Sequence, residues 1–266
     1  MKDLRVIFMG TPDFSVPILA SLIENTNVML VVTKIDQKVG RKQELSFSPI
    51  KELALENNVP LFQPIKIRDD YQKILDLNPD IIITCAYGQI IPQEILICPK
   101  YGCINVHASL LPKYRGGAPI HHAIINGEKE TGITIMYMNE GMDTGDIITK
   151  EVLPILDSDN VGTLFDKLSL LGRDLLVKTL PSIIDGTCHR EAQNDLMATY
   201  APTLKRTDER LDFSKSTIGV YNQVRGLNPW PLAYMTLNGE ETKVLECEKS
   251  YESFDQKPGE ITRILK

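Results

Sequence analysis

Asn105 and His107 stand two residues apart in the run Ile104-Asn105-Val106-His107, and a third polar group, Asp143, lies in the acidic turn Glu140-Gly141-Met142-Asp143-Thr144-Gly145-Asp146. In a strand, residues i and i+2 share a face, so the amide and the imidazole project together while Ile104 and Val106 face the other way. The amide supplies hydrogen-bond donors, and the imidazole takes up or releases a proton near neutral pH. A carboxylate that approaches the imidazole adds the group that orients it. The ordinary alternative for a lone histidine is a hydrogen-bonded core residue. The acidic turn, punctuated by two glycines, tips the reading toward chemistry; within it, Asp146 is expected to cap the turn.

The surrounding pattern says which elements must hold these groups. Residues 4–10 form a short apolar run that stops at Gly10-Thr11-Pro12-Asp13 before the helical spacing of Val16, Leu19, Leu22 and Ile23, which reads as strand, turn, helix. Buried-strand runs at 28–33, 80–86 and 102–107 alternate with helical stretches at 49–57 and 68–75. Such alternation predicts a mostly parallel α/β sheet, whose ligands bind at the carboxyl ends of its strands. Asn105 and His107 fall at such an end. Strands at 131–137 and 146–153 flank the acidic turn, and a long amphipathic helix at 161–184 follows.

Residues 185–206 turn polar and irregular, as a linker does. Beyond them a helix at 216–227 leads to Asn228-Pro229-Trp230-Pro231, and alternating segments at 233–237 and 242–248 are joined by Asn238-Gly239, a strong hairpin signal. The expected organisation is a large domain at 1–189, a linker at 190–206 and a small β domain at 207–266, the last marginal for a core of its own.

Composition removes several classes. With 42% hydrophobic and 24% charged residues, the chain is neither disordered nor fibrous. No apolar run approaches the roughly 20 residues of a membrane helix, and the N-terminal run lacks a signal peptide's cleavage site, so a cytoplasmic protein without a membrane partner is expected. A net charge of −6 argues against a generally basic nucleic-acid binder, leaving any RNA contact local. Five scattered cysteines without a C-x-x-C pair predict free thiols and no metal site. The first turn, Gly10-Thr11-Pro12-Asp13-Phe14, lacks the G-x-G-x-x-G spacing of a dinucleotide site.

Four segments resemble one family: Asn105 through Gly117 with its Ser109-Leu110-Leu111-Pro112, the Gly-Met-Asp-Thr-Gly-Asp turn, the opening Gly-Thr-Pro-Asp-Phe, and the stretch from Arg225 to Tyr234. The chain is similar over essentially its whole length to the methionyl-tRNA formyltransferase family. Asn-x-His before Ser-Leu-Leu-Pro belongs to folate-dependent formyltransferases and related hydrolases at large. Narrower signals are residues 34–49, which look like the family's inserted RNA-contact loop, and Tyr200-Ala201-Pro202, which looks like its interdomain join.

The resemblance implies a Rossmann-like formyltransferase domain followed by a smaller C-terminal β-barrel related to the OB fold. Family members usually continue past Lys257-Pro258-Gly259-Glu260-Ile261, so the barrel is expected to be incomplete here. The resemblance also implies that Asn105, His107 and Asp143 are catalytic, and that Ser109, Leu110, Leu111 and Pro112 bind 10-formyltetrahydrofolate. Backbone groups near Cys85, Ala86 and Tyr87 are expected to meet the pterin edge. For the methionyl initiator tRNA, Phe14 is a candidate for the methionine pocket, with core packing as the equal alternative. Arg41 and Lys42 are candidates for RNA contact. A monomer is the expected state. Rival readings are a formyltransferase of an amino-sugar nucleotide, a 10-formyltetrahydrofolate hydrolase, and a non-catalytic folate or RNA binder.

Overall fold

A computed structural model of the chain describes residues 1–39, 44–250, 252 and 255–264. Its frame is a seven-stranded sheet built from β1 (Arg5–Gly10), β2 (Asn27–Val32), β5 (Leu61–Phe62), β6 (Ile81–Cys85), β7 (Cys103–His107), β8 (Glu130–Tyr137) and β9 (Ile147–Pro154). A separate short hairpin, β3 (Gln37–Val39) with β4 (Glu44–Ser46), follows β2. The sheet order is β5-β2-β1-β6-β7-β8-β9. The first five of these strands run parallel, while β8 pairs antiparallel with both β7 and β9. The crossovers are α1 (Val16–Asn25), α2 (Pro49–Glu56), α3 (Gln72–Asp76), α4 (Gln93–Ile97) and α5 (Pro119–Ile125), with the long α6 (Val161–Ile184) after β9.

Both faces of the parallel strands are covered, which explains why they read as continuous apolar runs. On one face, Ile81, Ile83, Ile104 and Val106 pack with residues of α1, α5 and α6. On the other, Ile7, Met9, Ile82 and Cys103 pack with Ile74 and Ile95. Residues Leu164, Leu168, Leu175, Leu176, Leu180 and Ile183 give α6 one buried stripe, the 3.6-residue period of an amphipathic helix. Its first turn is closed by a capping box, in which the Asn160 side chain accepts from the Thr163 N–H at 2.9 Å. Such a cap stabilises by about 1 kcal/mol. Gly172 lets α6 approach β7, since a Cβ there would stand 3.0 Å from Val106 Cγ1. The helix thereby fixes the strand that bears Asn105 and His107.

Several element limits differ from the sequence reading, most of all at the third helix and the last strand. The helix expected at 68–75 forms only as α3, because residues 67–70 are a turn and the Ile67 N–H is taken by Gln89 Oε1 at 2.8 Å. Strand β11 (Glu240–Val244), expected at 242–248, begins earlier and also ends earlier, at Val244, pairing Leu237 of β10 (Ala233–Leu237) with Glu240. Asn238 and Gly239 hold φ of 51° and 87°, and a two-residue turn with both φ positive requires pairing to resume at once.

Beyond residue 203 the described chain adds α7 (Thr217–Arg225) and the β10–β11 hairpin around Leu211, Val224, Leu227 and Ala233. No further strand pairs with this hairpin among the described residues. The region docks on α5, where the His121 Nδ1–H donates to Gly226 O at 2.8 Å. Burial lowers the His121 pKa, although this hydrogen bond opposes the shift. Among the described residues no helix is long and apolar enough to cross a membrane.

Candidate active site

Strand β7 brings Asn105 and His107 to the carboxyl end of the sheet, and each lies opposite a threonine of a neighbouring strand. Thr84 is the β6 register partner of Asn105, and Thr134 is the β8 partner of His107. The Thr84 hydroxyl lies 2.9 Å from Asn105 Oδ1. With the amide oxygen on the Thr84 side, the NH2 points away from that hydroxyl. No described residue accepts from Asn105 Nδ2, and it is not a buried orphan, so these two hydrogens are open to a ligand.

His107 is 6% exposed, with Nε2 3.0 Å from Tyr114 O. A carbonyl only accepts, so Nε2 carries the hydrogen in the neutral ring and Nδ1 keeps the free lone pair. Nδ1 is 3.7 Å from Asp143 Oδ1. That is an ion-pair distance for a protonated ring and too long for a hydrogen bond. The other carboxylate oxygen, Oδ2, accepts from the Gly116 N–H at 2.8 Å. Asp146, in contrast, pairs with Arg190 at 3.1 Å and takes no part in the cluster.

The loops around this cluster carry unusual backbone. Ala86, Tyr114 and Asp143 hold φ of 49°, 60° and 53°, a left-handed conformation uncommon outside glycine and concentrated at functional sites. The Asp143 turn lies flush on β8, since a Cβ at Gly145 would meet Tyr137 O at 1.9 Å. No side chain fits there without moving the turn.

Ser109, Leu110, Leu111 and Pro112 form a tight turn tied to β8. Thr134 Oγ1 donates to Ser109 O at 2.6 Å and accepts from the Leu111 N–H at 3.1 Å. The Ser109 hydroxyl is spent on Lys113 O at 2.6 Å, and Leu111 is buried against Met136 and Ile147. Of the second loop, Ala86 is exposed while Cys85 and Tyr87 are buried. Burial pushes the Cys85 thiol up to about 12, so it is not a thiolate nucleophile near neutral pH. The Tyr87 hydroxyl is buried without a partner among the described residues.

Phe14 packs edge-on against Phe165, ring centroids 5.1 Å apart, inside the larger core cluster. Core packing is the role that these contacts show. Arg41 and Lys42 lie outside the described residues. The chain on either side of them pairs as the β3–β4 hairpin.

Sequence reasoning missed Thr84 and Thr134, although each is a polar residue inside an apolar strand run, which was the available signal. It also missed Arg115 and Gln193. The Arg115 side chain is 2% exposed and donates to Gln193 Oε1 from Nε and Nη2 at 3.1 and 2.8 Å. Gln193 Nε2 in turn donates to Asp143 O and Gly145 O, both at 2.8 Å.

Comparison with known proteins assigns this arrangement to a family. The formyl transferase profile matches residues 4–180, and the formyl transferase C-terminal domain profile matches residues 203–266. The chain is 52% identical over 265 residues to the methionyl-tRNA formyltransferase of Bacillus subtilis (strain 168), covering 98% of this chain and 84% of the relative. It is 48% identical over 264 residues to that of Staphylococcus aureus (strain MW2), covering 98% and 85%. Among solved structures, a 4-N formyltransferase from Francisella tularensis superposes with a TM-score of 0.74 at 20% identity, covering 93% of this chain and 99% of that one. An N-formyltransferase from Helicobacter canadensis, solved with folinic acid and dTDP-3-aminofucose, gives 0.71 at 22% identity, covering 96% and 93%. These structural likenesses establish the shared fold alone. The sequence relationship, near half identity along almost the entire chain, goes further: the chain belongs to the methionyl-tRNA formyltransferase family.

Proposed function

We propose that this protein transfers the formyl group of 10-formyltetrahydrofolate to the α-amino group of methionyl initiator tRNA, with Asn105 and His107 at the reacting atoms and Asp143 beside them. One observation carries the chemistry: the Asn105 amide oxygen meets the Thr84 hydroxyl and its NH2 is open, on the same strand face as an imidazole whose Nε2 is taken by Tyr114 O, which leaves the Nδ1 lone pair to a substrate. Addition of an amine to a formyl carbon places negative charge on the formyl oxygen, and a fixed donor stabilises it as it develops. Asn105 Nδ2 is that donor.

An unperturbed α-amine titrates at about 7.7 to 8, and the neighbouring ester makes an aminoacyl amine more acidic, so the neutral nucleophile is abundant near pH 7. As the new C–N bond forms, the amine loses a proton, which His107 Nδ1 accepts. The resulting imidazolium faces the Asp143 carboxylate at 3.7 Å. When the bond from the formyl carbon to N10 breaks, the same proton goes to N10, so the group ends the cycle as it began. No covalent enzyme intermediate is required. Leu110 and Pro112, the partly exposed members of the tied turn, and the exposed Ala86 supply an apolar wall and polar edge groups, the combination a flat pterin needs.

The choice of acceptor is supported by the near-half identity to methionyl-tRNA formyltransferases. Supplying 10-formyltetrahydrofolate with charged initiator tRNA, an amino-sugar nucleotide or water alone separates the three enzyme readings. Formyl transfer to the tRNA is expected. Turnover on the sugar nucleotide or water, with none on tRNA, would replace this function.

Arg41 and Lys42 are proposed to meet the acceptor end of that tRNA. With a net charge of −6, affinity for RNA must come from a few local cations. Arg41→Ala should lower kcat/KM for charged tRNA by about 10-fold, the loss of one good bidentate contact, with folate KM unchanged. Lys at this position should restore little if planar contact matters. Equal kcat/KM for parent and Arg41→Ala at both low and moderate salt would move the RNA contact elsewhere.

A further inference from the structure

Residues 190–201 connect the two matched family regions, yet they do not run free. Glu191 and Ile147 exchange both backbone hydrogen bonds, at 2.8 and 2.9 Å. Further along, the Arg115 N–H donates to Thr199 O and the Ala201 N–H to Arg115 O, at 2.9 and 2.7 Å. Gly116 has no room for a side chain because a Cβ there would stand 2.7 Å from Ala201 O. The segment is thus laced at one end to the strand that follows the Asp143 turn and at the other to the loop whose Gly116 N–H binds the Asp143 carboxylate.

Gln193 sits between these two anchor points with every polar hydrogen and its oxygen committed. Two carbonyls of the catalytic turn, Asp143 O and Gly145 O, accept from its NH2, and the Arg115 guanidinium donates to its oxygen. Carbonyls cannot donate and a guanidinium cannot accept, so the amide has only this orientation. Arg115 is in turn paired with Asp195 at 2.8 Å, which leaves the buried cation compensated. The turn itself is in a left-handed conformation at Asp143, which persists only where the surroundings over-determine it.

We propose that Gln193, oriented by Arg115, is a positioning residue for Asp143: it holds the turn so that one carboxylate oxygen faces His107 and the other faces Gly116. The proposal rests on the role given to Asp143 above. It makes the geometry of the active site depend on the segment that joins the two family regions, without any direct contact between Gln193 and substrate.

The decisive variant is Gln193→Glu, which keeps the shape and the Arg115 contact but sets a carboxylate oxygen against two carbonyl oxygens. It should lower kcat by about 10-fold, leave the KM for the folate within about twofold, and keep the melting temperature within a few degrees. The Gly116 amide, whose acceptor is the Asp143 carboxylate, should exchange with solvent deuterium faster by about 10-fold, a readout independent of activity. In an Asp143→Asn background, Gln193→Glu should cost little more, because both act through one group. Arg115→Lys should retain more activity than Arg115→Met, since it keeps a donor for Gln193 Oε1.

Parent-like kcat and Gly116 exchange in Gln193→Glu, with Asp143→Asn impaired, would overturn the brace and leave the role of Asp143 standing. A loss of equal factor in both backgrounds would also overturn it, by making the two residues independent. Full activity of Asp143→Asn would instead overturn the reading of Asp143, and the brace would go with it even if Gly116 exchange rose.

Discussion

Replacing Asn105 by alanine is expected to lower kcat for formyl transfer by about 10² or more, the usual cost of removing one donor from a developing oxyanion. His107→Ala is expected to fall by a similar factor, the range for loss of a general acid or base. In both variants the folate KM should stay within a few-fold of the parent, because neither side chain belongs to the tied turn or the Ala86 loop. Asn105→Asp separates donation from packing. It is nearly isosteric and Thr84 still has an oxygen to meet at 2.9 Å, but the open NH2 becomes a carboxylate oxygen that repels the oxyanion. Its loss should therefore equal or exceed that of alanine. Steady-state kinetics with charged tRNA, alongside melting temperatures, measure all three. A variant of Asn105 or His107 that turns over at the parent's rate would remove that residue from the mechanism.

The strand that carries these two residues was legible because its signals are local. Ile104 and Val106 alternate with Asn105 and His107, and buried neighbours on α6 confirm the face that alternation assigns. The same holds for the 161–184 helix, whose stripe and cap lie within the segment itself. Short elements were not legible for the opposite reason. α5 begins at Pro119, and proline at a first helical position was a usable signal, but Gly116-Gly117 directly before it reads as loop. α4 has five residues, too few for a helical period to show. Thr84 was hidden because its meaning depends on register: it becomes the partner of Asn105 only once β6 and β7 are aligned. Gln193 was hidden more deeply. Its contacts with Asp143 and Arg115 span 50 and 78 positions, and no spacing rule links residues so far apart. An irregular polar stretch looks like a linker from its sequence whether or not its backbone is bonded to an active site.

Asp143→Asn tests the electrostatic part of the site with the least disturbance elsewhere. Asn tolerates the left-handed φ of 53° held by Asp143 better than most residues. Its side-chain oxygen can still accept from the Gly116 N–H, now 2.8 Å away. What disappears is the negative charge 3.7 Å from His107 Nδ1. An opposite charge within about 4 to 6 Å favours the protonated imidazole, so the imidazolium formed during transfer loses its compensation and kcat should fall by an order of 10². A purely structural turn residue would change the melting temperature or the amount of active enzyme and leave kcat per folded enzyme alone. If Asp143→Asn gives the parent's kcat, the carboxylate's work ends at the Gly116 N–H and His107 acts without it.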